Sequence, residues 1–357
     1  MVKMKSLLLA AGLTVFAIGC SKKEAAPVAP AEVKVPESNA PRLYVTNEVG
    51  GELTIIDSGT MNVLSNKVIG QRPRGIHPSP DGKTLYIAMS GSPIAGPGVD
   101  ESTLPPADHS KDGIAVFDVA KGEIVRTING GSDPENFAVS LDGKQLYISN
   151  EDESAVSIVD IESGKPVKSL KMGSEPEGVQ LTPDGKEAYV TSEEEGTLSV
   201  LDTKSGKITA TFKVGHRPRN VAFMPDGKKA YVNAENDGTV GIIDTKKHKM
   251  VKTIQIGEAG KIKPMDVILS ADASKLYVST GRGHMVFTVD TATDKILSSV
   301  EVGGRPWGIA LSLDGKTLYS ANGTSNDVSV VDLATNTVTK KIAAGKGPWG
   351  LVVLPKL

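Results

Sequence analysis

The 357-residue chain contains one cysteine. That excludes an intramolecular disulfide framework and any Cys-rich zinc or iron–sulfur site. It also excludes a CxxCH haem attachment. Aromatic residues make up only 4% of the chain. Neither charge sign dominates: 40 Lys+Arg face 42 Asp+Glu, a formal net charge of −2. Bulk charge therefore disfavours a strongly basic nucleic-acid binder. No segment keeps a sustained helical period, and the one long apolar run is shorter than the roughly 20 residues of a membrane span. What the chain has in quantity is punctuation, 38 Gly and 21 Pro. That composition points to many short strands and turns rather than a helix bundle.

The apolar run lies at the start. Lys3 and Lys5 precede a mostly apolar stretch, residues 6–18, and Gly19-Cys20 follows. A basic start, a short apolar run and a small residue at the cut form a secretory signal. Ala17-Ile18-Gly19-Cys20 resembles a bacterial lipobox, which implies a signal peptide over residues 1–19 and a lipid on Cys20, the only cysteine. Ala17 stands where leucine is usual. Cleavage would remove two lysines, so the net charge of −2 becomes −4. Residues 20–41 are rich in Ala, Pro, Glu and Lys and are expected to be a disordered tether. The expected location is the bacterial envelope, on the periplasmic side, with Ser21 after the cysteine favouring the outer membrane.

The remainder, residues 42–357, is one repeat. The seven tyrosines are Tyr44, Tyr86, Tyr147, Tyr189, Tyr231, Tyr277 and Tyr319, spaced by 42, 61, 42, 42, 46 and 42. Six of them are followed 13 residues later by Asp57, Asp160, Asp202, Asp244, Asp290 or Asp332; Asp118 follows Tyr86 at 32. A period near 42 marks a solenoid or propeller and overrides a two-domain division by length. Each unit reads as four strands, a to d. In the third unit these are residues 136–141, 146–150, 155–160 and 167–172, with Asp142-Gly143-Lys144 as the a–b turn. Asp at the end of strand c suits the backbone N–H groups of the next turn.

Leu43-Tyr44-Val45-Thr46-Asn47, with Asp-Gly-Lys before most later copies, resembles the YVTN-repeat, YncE-like β-propellers across residues 43–354. The resemblance implies an all-β fold, a seven-bladed propeller of four-stranded blades. The final strand, residues 349–354, should join the first blade and close the ring. A monomer is expected.

In such a ring the b–c and d–a loops share one face, called the top here. Both length departures fall on it: 19 extra residues within 92–112, and four within 257–264. Insertions on one face often mark the binding face. Each d–a loop carries a Pro followed by a variable residue: Arg74, Glu135, Glu177, Arg219, Met265, Trp307 and Trp349. Arg72, Asp133, Glu175, Arg217, Lys263 and Arg305 precede the Pro in six loops, and Gly347 in the seventh. Arg74, Glu135, Glu177, Arg219, Met265, Trp307 and Trp349, with Arg217 and Arg305, are the candidate ligand contacts at the channel mouth. The two tryptophans suit a planar ligand, a sugar or a partner's anchor side chain, or else pack between blades. The charged residues suit a ligand, or else pair with one another.

Weaker candidates share this face. Glu48, Glu151, Glu193 and Glu235 stand four residues after their tyrosines and could hold a hard cation. His216 and His284 lack any short metal-ligand spacing. No nucleophile–base motif is present. The leading expectation is an envelope-anchored binding or scaffold propeller that presents its top face to an envelope protein or small ligand, with the membrane reached through Cys20. No catalytic residue or cofactor is expected, while metal, haem or PQQ stays open. The family resemblance also implies two alternatives: a lactonase-like or quinone- or haem-linked enzyme, and single-stranded DNA binding. The charge balance disfavours the last.

Overall fold

The computed structural model describes residues 36–94 and 103–357. The signal peptide, Cys20 and most of the tether lie outside these residues, as does the tip of the first insertion. The described chain forms seven four-stranded antiparallel sheets, one per tyrosine repeat. The blades are numbered by their tyrosines. In blade 3 the strands are Pro134–Val139, Gln145–Asn150, Ala155–Asp160 and Lys165–Lys171.

The inner strand begins two residues earlier than its sequence pattern suggests. Pro134 pairs with Asn150, and the register then breaks before Phe137 meets Ile148. Proline has no N–H to place in a ladder, so it is tolerated as a strand's first residue. The same break follows Pro176, Pro218 and Pro306. The last strand, Pro348–Leu354, pairs antiparallel with Arg42–Asn47, Arg42 opposite Leu354 and Tyr44 opposite Val352. The ring is closed by this pairing, which removes the free edge of the first blade.

Strand b alternates its side chains between two neighbouring blades. Leu43 and Val45 pack with Tyr319 of blade 7, while Tyr44 packs with Leu85 and Phe117 of blade 2. Every tyrosine of the repeat is buried in this way, one per blade interface. A few aromatics therefore suffice: each is the large side chain of its own small core.

Polar repeat residues stitch the strands. Asn47, Asn150 and Asn322, at the end of strand b, donate to Thr54, Ser157 and Ser329 of strand c. The strand-c aspartates accept backbone N–H bonds from the following turns, as in Asp160 with Ser163 N at 2.8 Å and Asp202 with Ser205 N at 2.7 Å. Hydrogen bonds from the Ser163 and Ser205 side chains, joined by those backbone bonds, hold the Asp160 and Asp202 carboxyls below the usual range.

The end of the expected tether is part of the propeller. Ser38 donates its N–H and hydroxyl to Asp57 at 2.6 and 2.7 Å, and Glu37 pairs with Arg42 and Lys356. The boundary at residue 41 is therefore corrected: residues 37–41 are held against blade 1.

Candidate functional site

The seven d–a loops converge on the mouth of the central channel. In five of them the residue before proline is a non-glycine at positive φ: Arg72, Asp133, Glu175, Arg217 and Arg305, between 42° and 53°. Gly347 fills this place in blade 1 at 70°. Left-handed backbone costs an L-residue about 1–2 kcal/mol, so the mouth concentrates strain in positions where charge is placed instead of glycine.

The residue after proline is held by its neighbour. Thr46, Ser149, Thr191 and Ser279 on strand b donate their hydroxyls to the main-chain carbonyls of Arg74, Glu177, Arg219 and Trp307 on the next inner strand. Asn233 does the same to Pro264. In these five blades the small polar residue of strand b thus fixes the backbone beside the variable side chain; blades 2 and 7 have Ala88 and Ala321 at that position.

Most of those side chains pair with each other. Arg74 is 1% exposed and contacts Asp133 and Glu135, with Glu151 at 3.7 Å. Arg219 contacts Glu177, and lies 2.8 Å from Glu193 and 2.7 Å from Glu235. Arg217 contacts Glu193, and Lys263 bonds Glu235 at 2.7 Å. Arg72 takes Glu48 at 3.0 Å. The carboxylates offered as cation ligands are therefore turned onto arginines instead. Among the described residues no three His, Cys, Asp or Glu side chains converge as metal ligands. His216 bonds Asp237 at 2.7 Å, and His284 meets the Gly303 carbonyl at 3.4 Å.

Burial and crowding split the acids. Burial raises Glu177, with Glu193 adding to the rise against Arg219, so its carboxyl is held well above the usual range. Burial likewise raises Glu151, reinforced by Glu135. Burial alone would also raise Glu235, but Arg219 and the Lys263 hydrogen bond outweigh it and bring it to about 2.

Trp307 and Trp349 stack at 5.7 Å between ring centroids. The guanidinium of Arg305 lies 4.8 Å from the Trp307 ring and that of Arg219 5.2 Å. Met265 is buried and faces a small space of about 90 Å³ beneath the tryptophans. In the same space Asp266 accepts Asn220 Nδ2 at 2.6 Å and the Ile309 N–H at 3.1 Å. Neither Asn220 nor Asp266 stands out in a search for motifs. The signal is that the second position after proline is Gly in four blades and Asn or Asp in the other three.

Above the tryptophans lies a cavity of about 670 Å³. The flanks of the first insertion, residues 92–94 and 104–107, form part of its wall. Asp112 anchors the base of this loop, accepting Gly91 N at 2.6 Å and Asp133 N at 3.0 Å. His109, Asp112 and Ser132 meet here, yet Asp112 and Ser132 both approach His109 Nδ1, at 2.8 and 2.9 Å. A hydrolytic triad uses the two ring nitrogens separately, so this is a loop anchor.

Two family models match parts of the chain. A YncE-like β-propeller model matches residues 106–226, and a seven-bladed β-propeller lactonase model matches residues 205–347. The chain is a seven-bladed β-propeller whose residues 106–226 are similar to the YncE-like propellers. No curated protein matches it. Among solved structures, hydrazine synthase from Kuenenia stuttgartiensis is 21% identical with a TM-score of 0.67, over 79% of this chain and 95% of that one. A candidate 6-phosphogluconolactonase from Bacteroides fragilis is 20% identical with a TM-score of 0.71, over 88% and 98%. A functionally unknown protein from Desulfotomaculum acetoxidans is 13% identical with a TM-score of 0.72, over 88% and 99%. At these identities the likeness concerns the fold, and fold does not carry function.

Proposed function

We propose that this propeller is an envelope-anchored binding protein that takes a small ligand in its mouth cavity. The observation that carries the reading is the stacked Trp307–Trp349 pair beneath the cavity of about 670 Å³. Ligand sites fall in the range of about 300–1,000 Å³, with aromatic walls and a few placed polar groups. The insertion flanks deepen this wall on the face where the repeat departs from its period. The chemistry of the mouth is recognition: Arg72, Arg74, Arg217 and Arg219 are engaged in ion pairs, and the nearby histidine–serine contact lacks triad geometry.

The test is native mass spectrometry of the protein isolated gently from its own envelope. A released small molecule that rebinds and shifts tryptophan emission supports the reading. Equal recovery from Trp307→Ala and Trp349→Ala proteins would place the molecule elsewhere. Lipid anchoring through Cys20 is tested separately: Cys20→Ala should free the protein from the membrane fraction.

A second reading is lactone hydrolysis. It is favoured by the lactonase match over residues 205–347, which include Arg219, Glu235 and Arg305. Glu177, whose carboxyl burial pushes well above the usual range beside Arg219, is a group able to give a proton to a leaving alkoxide. Acid release from a δ-lactone, lost in Glu177→Gln, would establish this activity. No release from lactones by intact protein would dismiss it.

A further inference from the structure

Arg305 is set apart from the other mouth cations. Arg72, Arg74, Arg217, Arg219 and Lys263 each meet a carboxylate. Among the described residues the Arg305 guanidinium has no such partner; its described contact is the face of Trp307 at 4.8 Å. It lines the cavity of about 670 Å³ together with both tryptophans. Partial burial and the neighbouring Arg219 disfavour its charge. A cation in this setting gains from an anion more than an exposed one does.

The opposite wall has the reverse character. Blade 7, which carries Arg305, lies across the ring from blades 3 and 4. Glu151 and Asp152 of blade 3 and Glu194 of blade 4 line the cavity there. A ligand with negative charge spread over its length would meet these carboxylates. A ligand with one anionic end would not.

We propose that the mouth cavity takes a flat aromatic monocarboxylate, its ring against Trp307 and Trp349 and its carboxylate on the Arg305 guanidinium. This rests on the ligand-binding reading above and names the class of ligand. The planar fork of arginine matches a carboxylate with two parallel N–H donors. A phosphate monoester carries about −1.5 to −2 charges at neutral pH, and the acidic wall counts against it.

Calorimetric titration of the full-length protein with naphthoate, naphthyl phosphate and neutral naphthol tests the assignment. Naphthoate should bind about tenfold or more tighter than either of the others. Arg305→Asn, chosen because Asn accepts left-handed backbone, should weaken naphthoate about tenfold and leave naphthol within about twofold. Trp307→Ala should weaken both. An unchanged melting temperature for Arg305→Asn shows that the fold is kept, and Arg305→Lys should restore part of the naphthoate affinity. The assignment is overturned if naphthoate binds no tighter than naphthol, if the phosphate binds best, or if Arg305→Asn has no effect. Naphthol binding lost only in Trp307→Ala would then leave the cavity as a site for uncharged ligands. Failure of all three probes also overturns the carboxylate, while co-purification decides the broader reading independently.

Discussion

Trp307 and Trp349 stack across the boundary between blades 7 and 1, with 25° between their ring planes. Each follows the proline that opens its inner strand, so the repeat itself brings the two rings together. They are the only tryptophans in the chain. Stacked indoles couple their transitions, and the far-ultraviolet circular dichroism should show an exciton couplet. Trp307→Phe or Trp349→Phe alone should abolish the couplet and leave the strand signal in place. A couplet that survives either change would mean that the rings are not stacked in solution.

Glu177 and Glu193 face the same guanidinium but differ in character. Burial lifts the Glu177 carboxyl, whereas Arg219, the Glu177 hydrogen bond and Arg217 overcome burial at Glu193 and hold it low. A raised acid favours the fold below the ordinary carboxyl range, and that contribution is lost as pH rises through its elevated value. Glu177→Gln copies the protonated form. Its melting temperature should match or exceed that of the parent at neutral pH and should fall less toward alkaline pH. Glu193→Gln removes the charge between Arg217 and Arg219 and should destabilise at neutral pH. Thermal unfolding across a buffer series reads both, and a strongly destabilised Glu177→Gln would contradict the assignment.

The ring was legible because its determinants repeat. Seven tyrosines near a period of 42 place seven blades, and Asp-Gly-Lys turns place the strand ends. Closure followed from a chain that opens on strand b and ends on strand a. The mouth was legible as a set of positions and much less as a set of contacts. Arg219 and Glu177 lie 42 residues apart, and only the curvature of the ring decides that they touch. The same holds for Arg74 with Asp133 and Glu135, which pair with one another on the wall of the cavity. The isolation of Arg305 could not be read, because it depends on where every neighbouring carboxylate has gone. Ser38 was read as tether since its composition is that of a linker, yet its partner Asp57 is 19 residues away on a folded strand.

Glu235 makes the mouth sensitive to acid. Arg219 and Lys263 hold its carboxyl at about 2, below the ordinary value of 4.5. A depressed acid stabilises the fold above its unfolded value and loses that contribution as pH falls through the native one. The window therefore runs from about 4.5 down to about 2. The linked contribution is about 3 kcal/mol. Glu235→Gln should lose about this much stability at neutral pH and should show a shallower fall in acid. Chemical denaturation at a series of pH values measures both slopes. Parallel slopes for parent and variant would show that Glu235 titrates normally.

The hydroxyl of Thr191 ties the mouth to the blade behind it. It accepts the Gly178 N–H at 2.8 Å and donates to the Arg219 carbonyl at 3.1 Å. Thr191 is fully buried, so water cannot replace either bond. Thr191→Val keeps the shape and removes the oxygen, leaving a buried N–H and a buried carbonyl each short of a partner. Such a loss costs about 1–3 kcal/mol. The strain should appear where Arg219 is held, because its carbonyl is one of the two groups released. Thr191→Val should therefore lower the denaturation midpoint without changing the slope, and should alter tryptophan emission through the Arg219–Trp307 contact. Thr203→Val is the control: its hydroxyl meets the Gly185 and Lys186 carbonyls on the opposite face. If both variants shift tryptophan emission alike, the lock does not act on the mouth.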